Sequence, residues 1–483
     1  MATTVGTIGY VIVLLFLLPF GAHRLRLLWL RFRRPPRTEI REWSGPLPRV
    51  TVQLPVYNEA NVIERVIDAA CELDYPADRL EVQVLDDSDD ETSRLALDRV
   101  ASWRKRGIDA THIHRSSRSG FKAGALANGA RRARGEFFLV LDADFVPPPT
   151  LIRDLLGPFA DPNVGAVQAS WTHLAFETSW LRRAQALFLD AHFAIEHEAR
   201  YRAGLFFNFN GSGGMWRRAC IAAAGGWSSD TLTEDVDLSY RAQLAGWRFA
   251  YLDDVRVPAE LPAGLRAIEI QQERWTQGGV QAARKLLPRV WRSRATTAQK
   301  VEASAHLLSH FVHPLTLLLG TALATTGWLG IGGGALPRWV HLVALTLATL
   351  PFIVFYGSAA VLRGVRAPAL PRRIAEALLL GLGLGVPLSG AVFRGAMGRV
   401  TPFARTPKEG FTTRVRYRAR AWTMSDWVRA ILAIALAGAA WNLTKVGLAA
   451  ALPFTALFAL GYVAASAEAL RPGLRKAEPI SGQ

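Results

Sequence analysis

EFFLVLDAD, residues 136–144, is a run of apolar β-formers that ends in two carboxylates one residue apart, with Pro147-Pro148-Pro149 close behind. A short continuous apolar run bounded by turn residues reads as a buried strand. Two further segments of this kind precede it, VTVQLP at 50–55 and EVQVLDD at 81–87. Helix-like segments separate and follow them: NEANVIERVIDAACEL (58–73), ETSRLALDRVASWRKRG (91–107) and AGALANGARRA (123–133). Strands alternating with helices predict an α/β fold with a mainly parallel, doubly wound, Rossmann-like sheet. Ligands of such sheets sit beyond the carboxyl ends of the strands, and the acidic clusters DDSDD and DAD fall there.

Residues 48–300 are mixed and polar throughout, and the chain on either side of them is apolar. Half of its 483 residues are hydrophobic and 20% are charged, and the net charge is +17. That balance excludes a disordered chain, and two lone cysteines, Cys71 and Cys220, exclude a disulfide scaffold. Val5–Phe20 is uncharged and close to one bilayer-spanning length. No basic residue precedes it, while Arg24, Arg26, Arg31, Arg33, Arg34, Arg37 and Arg41 follow, against Glu39 alone. The positive-inside rule therefore places the N-terminus outside and residue 24 onward in the cytosol. Later apolar runs lie at 306–329, 339–362, 374–392, 428–441 and 448–467.

If all five later runs crossed, segment 394–420, with eight basic residues and one acid (Glu409), would lie outside. The run 374–392 carries Glu376 and is broken by Gly381, Gly383, Gly385 and Pro387, so it reads as interfacial or re-entrant. Five spans result, one before the polar region and four after it. The expected organisation is an anchor helix (1–23), a basic linker (24–47), a cytosolic catalytic domain (48–300), a membrane region (301–470) containing the cytosolic loop 394–420, and a cytosolic tail (471–483). The positive charge then belongs to the bilayer face, and no nucleic-acid module is recognisable.

Each candidate motif has a plain reading beside the chemical one. Asp86 and Asp87 can receive a base or ribose, or can cap a helix. Asp142 and Asp144 can share a divalent cation with a diphosphate, Mg²⁺ or Mn²⁺ alike, or can sit in an exposed turn. Lys122, in GFKAGAL (120–126), can meet phosphate or be a surface lysine. Glu234 and Asp235 can complement a helix dipole, or one can act as a base if like charges crowd it. Gln271, Arg274 and Trp275 lie about one helical turn apart, where arginine can neutralise diphosphate and an indole can stack on a sugar; Trp and Arg also suit an interfacial helix.

Taken in order, QLPVYNE (53–59), VLDDS (84–88), KAGAL (122–126), DAD (142–144), FNGSGG (209–214), TED (233–235) and QQERW (271–275) resemble the membrane-bound, processive, inverting glycosyltransferases of family 2. The order is similar to that of cellulose synthases and especially of cellulose-synthase-like mannan synthases. The resemblance implies a GT-A type cytosolic domain with an α-helical membrane region. It also implies a nucleotide-sugar donor, UDP-glucose or GDP-mannose, and a growing β-glycan as acceptor.

Residue by residue, it implies that Tyr57, Glu59, Asp86 and Asp87 hold the nucleotide. Asp142 and Asp144 bind the metal, and Lys122 and Arg274 meet the diphosphate. Asp235 is the general base, while Gly211, Glu234, Gln271 and Trp275 serve the acceptor. RVTPFARTPKEG (399–410) resembles the synthases' gating loop, with Thr406 and Lys408 reaching the nucleotide. Single transfer to a membrane lipid, as in ceramide glucosyltransferases, is the alternative, and a catalytically dead membrane scaffold is the third. No regulatory module is expected after the last span. The small membrane region implies a second copy or an accessory export protein to complete a polymer path. A composition rich in Arg, Ala and Gly suggests, by association, a bacterial inner membrane.

Overall fold

Seven strands form one sheet in the order β3-β2-β1-β4-β6-β5-β7. They are β1 (Val50–Val56), β2 (Leu80–Asp86), β3 (Asp109–His114), β4 (Phe137–Val140), β5 (Val164–Leu174), β6 (Gly214–Arg217) and β7 (Arg248–Glu260). The computed structural model describes residues 2–37, 42–262, 264–329, 338–399, 405–406, 422–445 and 449–470. All neighbouring strands are parallel except β6, which runs antiparallel between β4 and β5. The expected α/β, GT-A type arrangement is therefore present. β1, β2 and β4 are almost wholly buried, as parallel strands covered on both faces must be.

Parallel register places Thr51 beside Glu81 and Gln53 beside Gln83, and both pairs hydrogen-bond inside the sheet, at 2.6 and 3.2 Å. Polar residues are tolerated there because each finds a partner. β1, β2 and β4 all end on the same edge, where the acidic clusters emerge.

Four described helices are long and apolar enough to cross a membrane: Val11–Arg33, Trp339–Leu362, Met424–Lys445 and Ala449–Leu470. Two bent pairs join them by the same measure, Thr297–Leu307 with Ser309–Leu329 at 44°, and Ala367–Gly383 with Gly385–Ala396 at 50°. The segment expected to be broken at its glycines is thus bent between Gly383 and Gly385. Its first half bears on the domain that carries the sheet, where Arg183 donates to Glu376 at 2.5 Å.

One boundary differs from expectation. The first helix runs from Ala2 to Arg33, ten residues into the predicted linker. Leu27, Leu28 and Leu30 are interspersed with the arginines and are buried in one cluster with Leu187, Ile195 and Ala199 and with Phe355 and Ala359 of the helix Trp339–Leu362, so packing supports this extension.

Candidate active site

The YNE loop leaves β1, Asp87 follows β2, and Asp142 and Asp144 follow β4, so three strand ends open on one cavity. Its lining includes Tyr57, Glu59, Asp87, Lys122, Asp142, Asp144, Gly211, Glu234, Asp235, Gln271, Arg274, Trp275 and Thr406. Most of the residues singled out from sequence therefore share one pocket, although they lie as far apart in the chain as 57 and 406.

Backbone stitching explains the convergence. The Asp142 N–H donates to Ser212 Oγ at 2.8 Å, and the Gly213 N–H to the Val140 carbonyl at 2.9 Å, which ties the FNGSGG turn to the end of β4. Lys122 opens the helix Phe121–Arg132 and reaches Asp142 Oδ1 at 2.5 Å and the Gly211 carbonyl at 2.9 Å; Glu234 Oε1 is 3.9 Å away. The helix Leu265–Arg292, which carries Gln271, Arg274 and Trp275, comes close to the TED segment because residue 278 is glycine. A Cβ there would lie 2.6 Å from the Thr233 methyl group.

Four carboxylates, Asp142, Asp144, Glu234 and Asp235, thus face two cations, Lys122 and Arg274. Burial, and next the Glu234 charge, push the Asp235 carboxyl up to about 7, while Lys122 opposes the rise. Burial would lower the Lys122 ammonium, yet Asp142, Glu234 and Asp235 carry it above the usual lysine value. A carboxyl poised near neutrality beside a cleft suits proton abstraction. The surplus of carboxylates suits a divalent cation with oxygen ligands.

One expected residue is placed otherwise. Asp86 does not line the cavity. Its side chain is 0% exposed and accepts from His112 and His114, because an even step along β2 from Val82 and Val84 turns it into the fold while Asp87 turns out. Lys408 lies outside the described residues. Arg405 and Thr406 of the same loop reach the pocket, with Arg405 Nε 3.7 Å from Glu59. Sequence reasoning missed Arg118, whose guanidinium stands 3.4 Å from the centre of the Tyr57 ring. It also missed Arg115, which clamps both oxygens of Asp87 at 2.7 and 2.5 Å. The basic run HIHRSSRSG (112–120) just before GFKAGAL was their only signal.

The family described as "Glycosyltransferase like family 2" matches residues 48–278. This part of the chain is a family-2 glycosyltransferase domain. The domain is similar to a probable glucomannan 4-beta-mannosyltransferase 7 of Oryza sativa subsp. japonica, at 44% identity over 247 residues, which is 50% of this chain and 42% of that protein. A glucomannan 4-beta-mannosyltransferase 2 of Arabidopsis thaliana is 41% identical over 52% of this chain and 48% of its own length. The chain spans about half the length of these curated relatives. Among solved structures, the mannosyltransferase PcManGT from Pyrobaculum calidifontis superposes with a TM-score of 0.59 at 22% identity, covering 82% of this chain and all of that one. That likeness concerns the fold.

Gly211 offers a direct check on the glycosyltransferase site. Its φ is +79°, and a Cβ would lie 2.9 Å from Asp235 Oδ2 and 3.4 Å from Lys122 Nζ. Gly211→Ala is therefore expected to displace Asp235 and to reduce kcat by about 10²-fold, the scale of a 1 Å misplacement. A fall confined to KM, with kcat unchanged, would contradict this geometry.

Proposed function

We propose that this protein is an inverting hexosyltransferase that extends a β-linked mannan-type glycan from GDP-mannose at the cytosolic face of a membrane and passes the product outward. The observation that carries the reading is the joining of Asp87, Asp142, Asp144, Asp235, Arg274 and Trp275 in one cavity. The names of the relatives at 37–44% identity support a β-mannosyl product. The pairing of mannose with GDP is part of the proposal, and UDP-glucose is the competing donor.

In this reading Asp235 accepts the proton of the acceptor hydroxyl as that oxygen attacks the anomeric carbon, and the bond to the diphosphate breaks on the opposite face. Arg274 and Lys122 offset charge on the departing diphosphate, and Trp275 presents an indole face for the terminal acceptor sugar. Asp142 and Asp144 would hold a divalent cation, Mg²⁺ or Mn²⁺, which supplies further charge stabilisation when bound. Thr406, which lines the cavity, would meet the nucleotide, and the expected role of Lys408 is kept as part of the proposal. The charge pattern around Val11–Arg33 supports a cytosolic catalytic side. The rice and Arabidopsis relatives lend nothing to a bacterial inner membrane, and the proposal keeps only a membrane location.

Membranes incubated with labelled GDP-mannose or UDP-glucose test the reading. High-mass, mannanase-sensitive label from GDP-mannose alone is the expected result. Organic-extractable label would replace polymer synthesis by lipid glycosylation. Transfer from UDP-glucose alone would overturn the donor assignment.

A further inference from the structure

Asp86, left without a place at the donor cavity, belongs to a second cluster of chemistry-bearing side chains. His112 and His114 occupy alternate positions of β3, so both project from the same face of that strand. Parallel pairing sets Asp86 opposite His114 and Val84 opposite His112. His112 Nε2 lies 2.9 Å and His114 Nδ1 3.2 Å from the same oxygen, Asp86 Oδ2, and the three candidate ligand atoms are all within 4.8 Å of one another. The carboxylate side chain is 0% exposed, His112 9% and His114 44%, so the cluster is closed on the carboxylate side and open to solvent at His114.

Two features favour a cation over a plain hydrogen-bonded group. A buried carboxylate needs positive charge nearby. The adjacent Arg115 is committed to Asp87, and among the described residues only the two imidazoles form ion pairs with Asp86. Tetrahedral zinc with bonds of ~2.0–2.1 Å needs ligand atoms about 3.3 Å apart, so the two measured separations require shifts of only a few tenths of an ångström. Two imidazoles and one carboxylate suit Zn²⁺ and similar borderline ions better than Mg²⁺.

We propose that Asp86, His112 and His114 bind a borderline divalent cation such as Zn²⁺, at a site separate from Asp142 and Asp144. The ion would tie the edge strand β3 to the end of β2. From there Ser88 Oγ accepts from the Asn58 N–H at 2.9 Å and Asp89 accepts from the Asn58 amide at 2.7 Å, which holds the loop bearing Tyr57. Its role is to fix the nucleotide-facing loop.

Co²⁺ in place of Zn²⁺ reports such a site through visible ligand-field bands. Full-length protein in detergent, stripped with chelator and free of donor and acceptor, is titrated with Co²⁺ as wild type, as Asp142→Asn/Asp144→Asn and as His112→Asn/His114→Asn. The expected result is one Co²⁺ with histidine-type bands in the first two and its loss in the third. Absence of bands from the wild type would leave a hydrogen-bonded triad only and overturn the proposal. So would retention of the bands in the double histidine variant, or their loss in the double aspartate variant. Should the double histidine variant fail to fold, His114→Ala at the exposed position is expected to weaken Co²⁺ binding by about tenfold or more, and unchanged affinity would overturn the site. No sugar transfer enters the readout, so the result stands apart from the fate of the mannosyltransferase reading.

Discussion

Asp235→Asn is expected to reduce sugar transfer by about 10²–10⁴-fold, the range of general-base assistance, while the nucleotide-sugar donor still binds. Asparagine keeps the shape and the acceptor oxygen that meets the Val236 N–H at 2.9 Å, but it takes no proton at neutral pH. Because the carboxyl is pushed up to about 7 by burial and by Glu234, wild-type kcat/KM is expected to rise about tenfold per pH unit below 7 and level above it. The residual activity of the variant is expected to lose that limb. Calorimetric titration of donor into the variant checks binding separately. Turnover retained with its pH limb intact would remove Asp235 from the role.

The same raised carboxyl has a consequence for stability. An unfolded aspartate ionises near 3.9, whereas the native Asp235 keeps its proton up to about 7. Between those values the folded state binds more protons, so this group's contribution to stability falls as pH rises through the window. Asp235→Asn is therefore expected to raise the melting temperature above about pH 7 and to leave it little changed near pH 4.

Lys122→Met is expected to be nearly as damaging by a different route. Lys122 is the cation shared by Asp142, Glu234 and Asp235, and its charge opposes the rise in the Asp235 carboxyl. Removal of the ammonium is expected to shift the alkaline-rising limb upward by about 1–3 pH units, the usual effect of an adjacent opposite charge. Activity at pH 7 then falls by roughly 5–500-fold, through protonation alone. Breaking a fully buried pair costs about 3–5 kcal/mol, and a smaller loss is expected here because Asp142 is 34% exposed. The decisive measurement is the pH profile. An unshifted limb with reduced kcat would mean that Lys122 acts on substrate alone.

The strands and the motifs at their ends were legible because each depends on neighbours in sequence. Apolar β-formers followed at once by DDS or DAD mark a buried strand delivering acids to a sheet edge, wherever the rest of the chain lies. Helix boundaries at the membrane were less legible. Arg24, Arg26 and Arg31 look like the end of a helix by charge, yet Leu27, Leu28 and Leu30 carry it on to Arg33 by packing on the polar domain and on the helix Trp339–Leu362.

Residue types and their order were enough to predict the sheet, the family and the chemistry expected of each motif, because local periodicity and side-chain chemistry travel with the chain. Direction and company were decided by the fold. Asp86 and Asp87 are adjacent in sequence, but successive side chains of a strand point to opposite faces, so one pairs with histidines inside and the other faces the cleft. Likewise the proton affinity of Asp235 is a property of Glu234, Lys122 and exclusion of water together, and no spacing in the sequence encodes that sum.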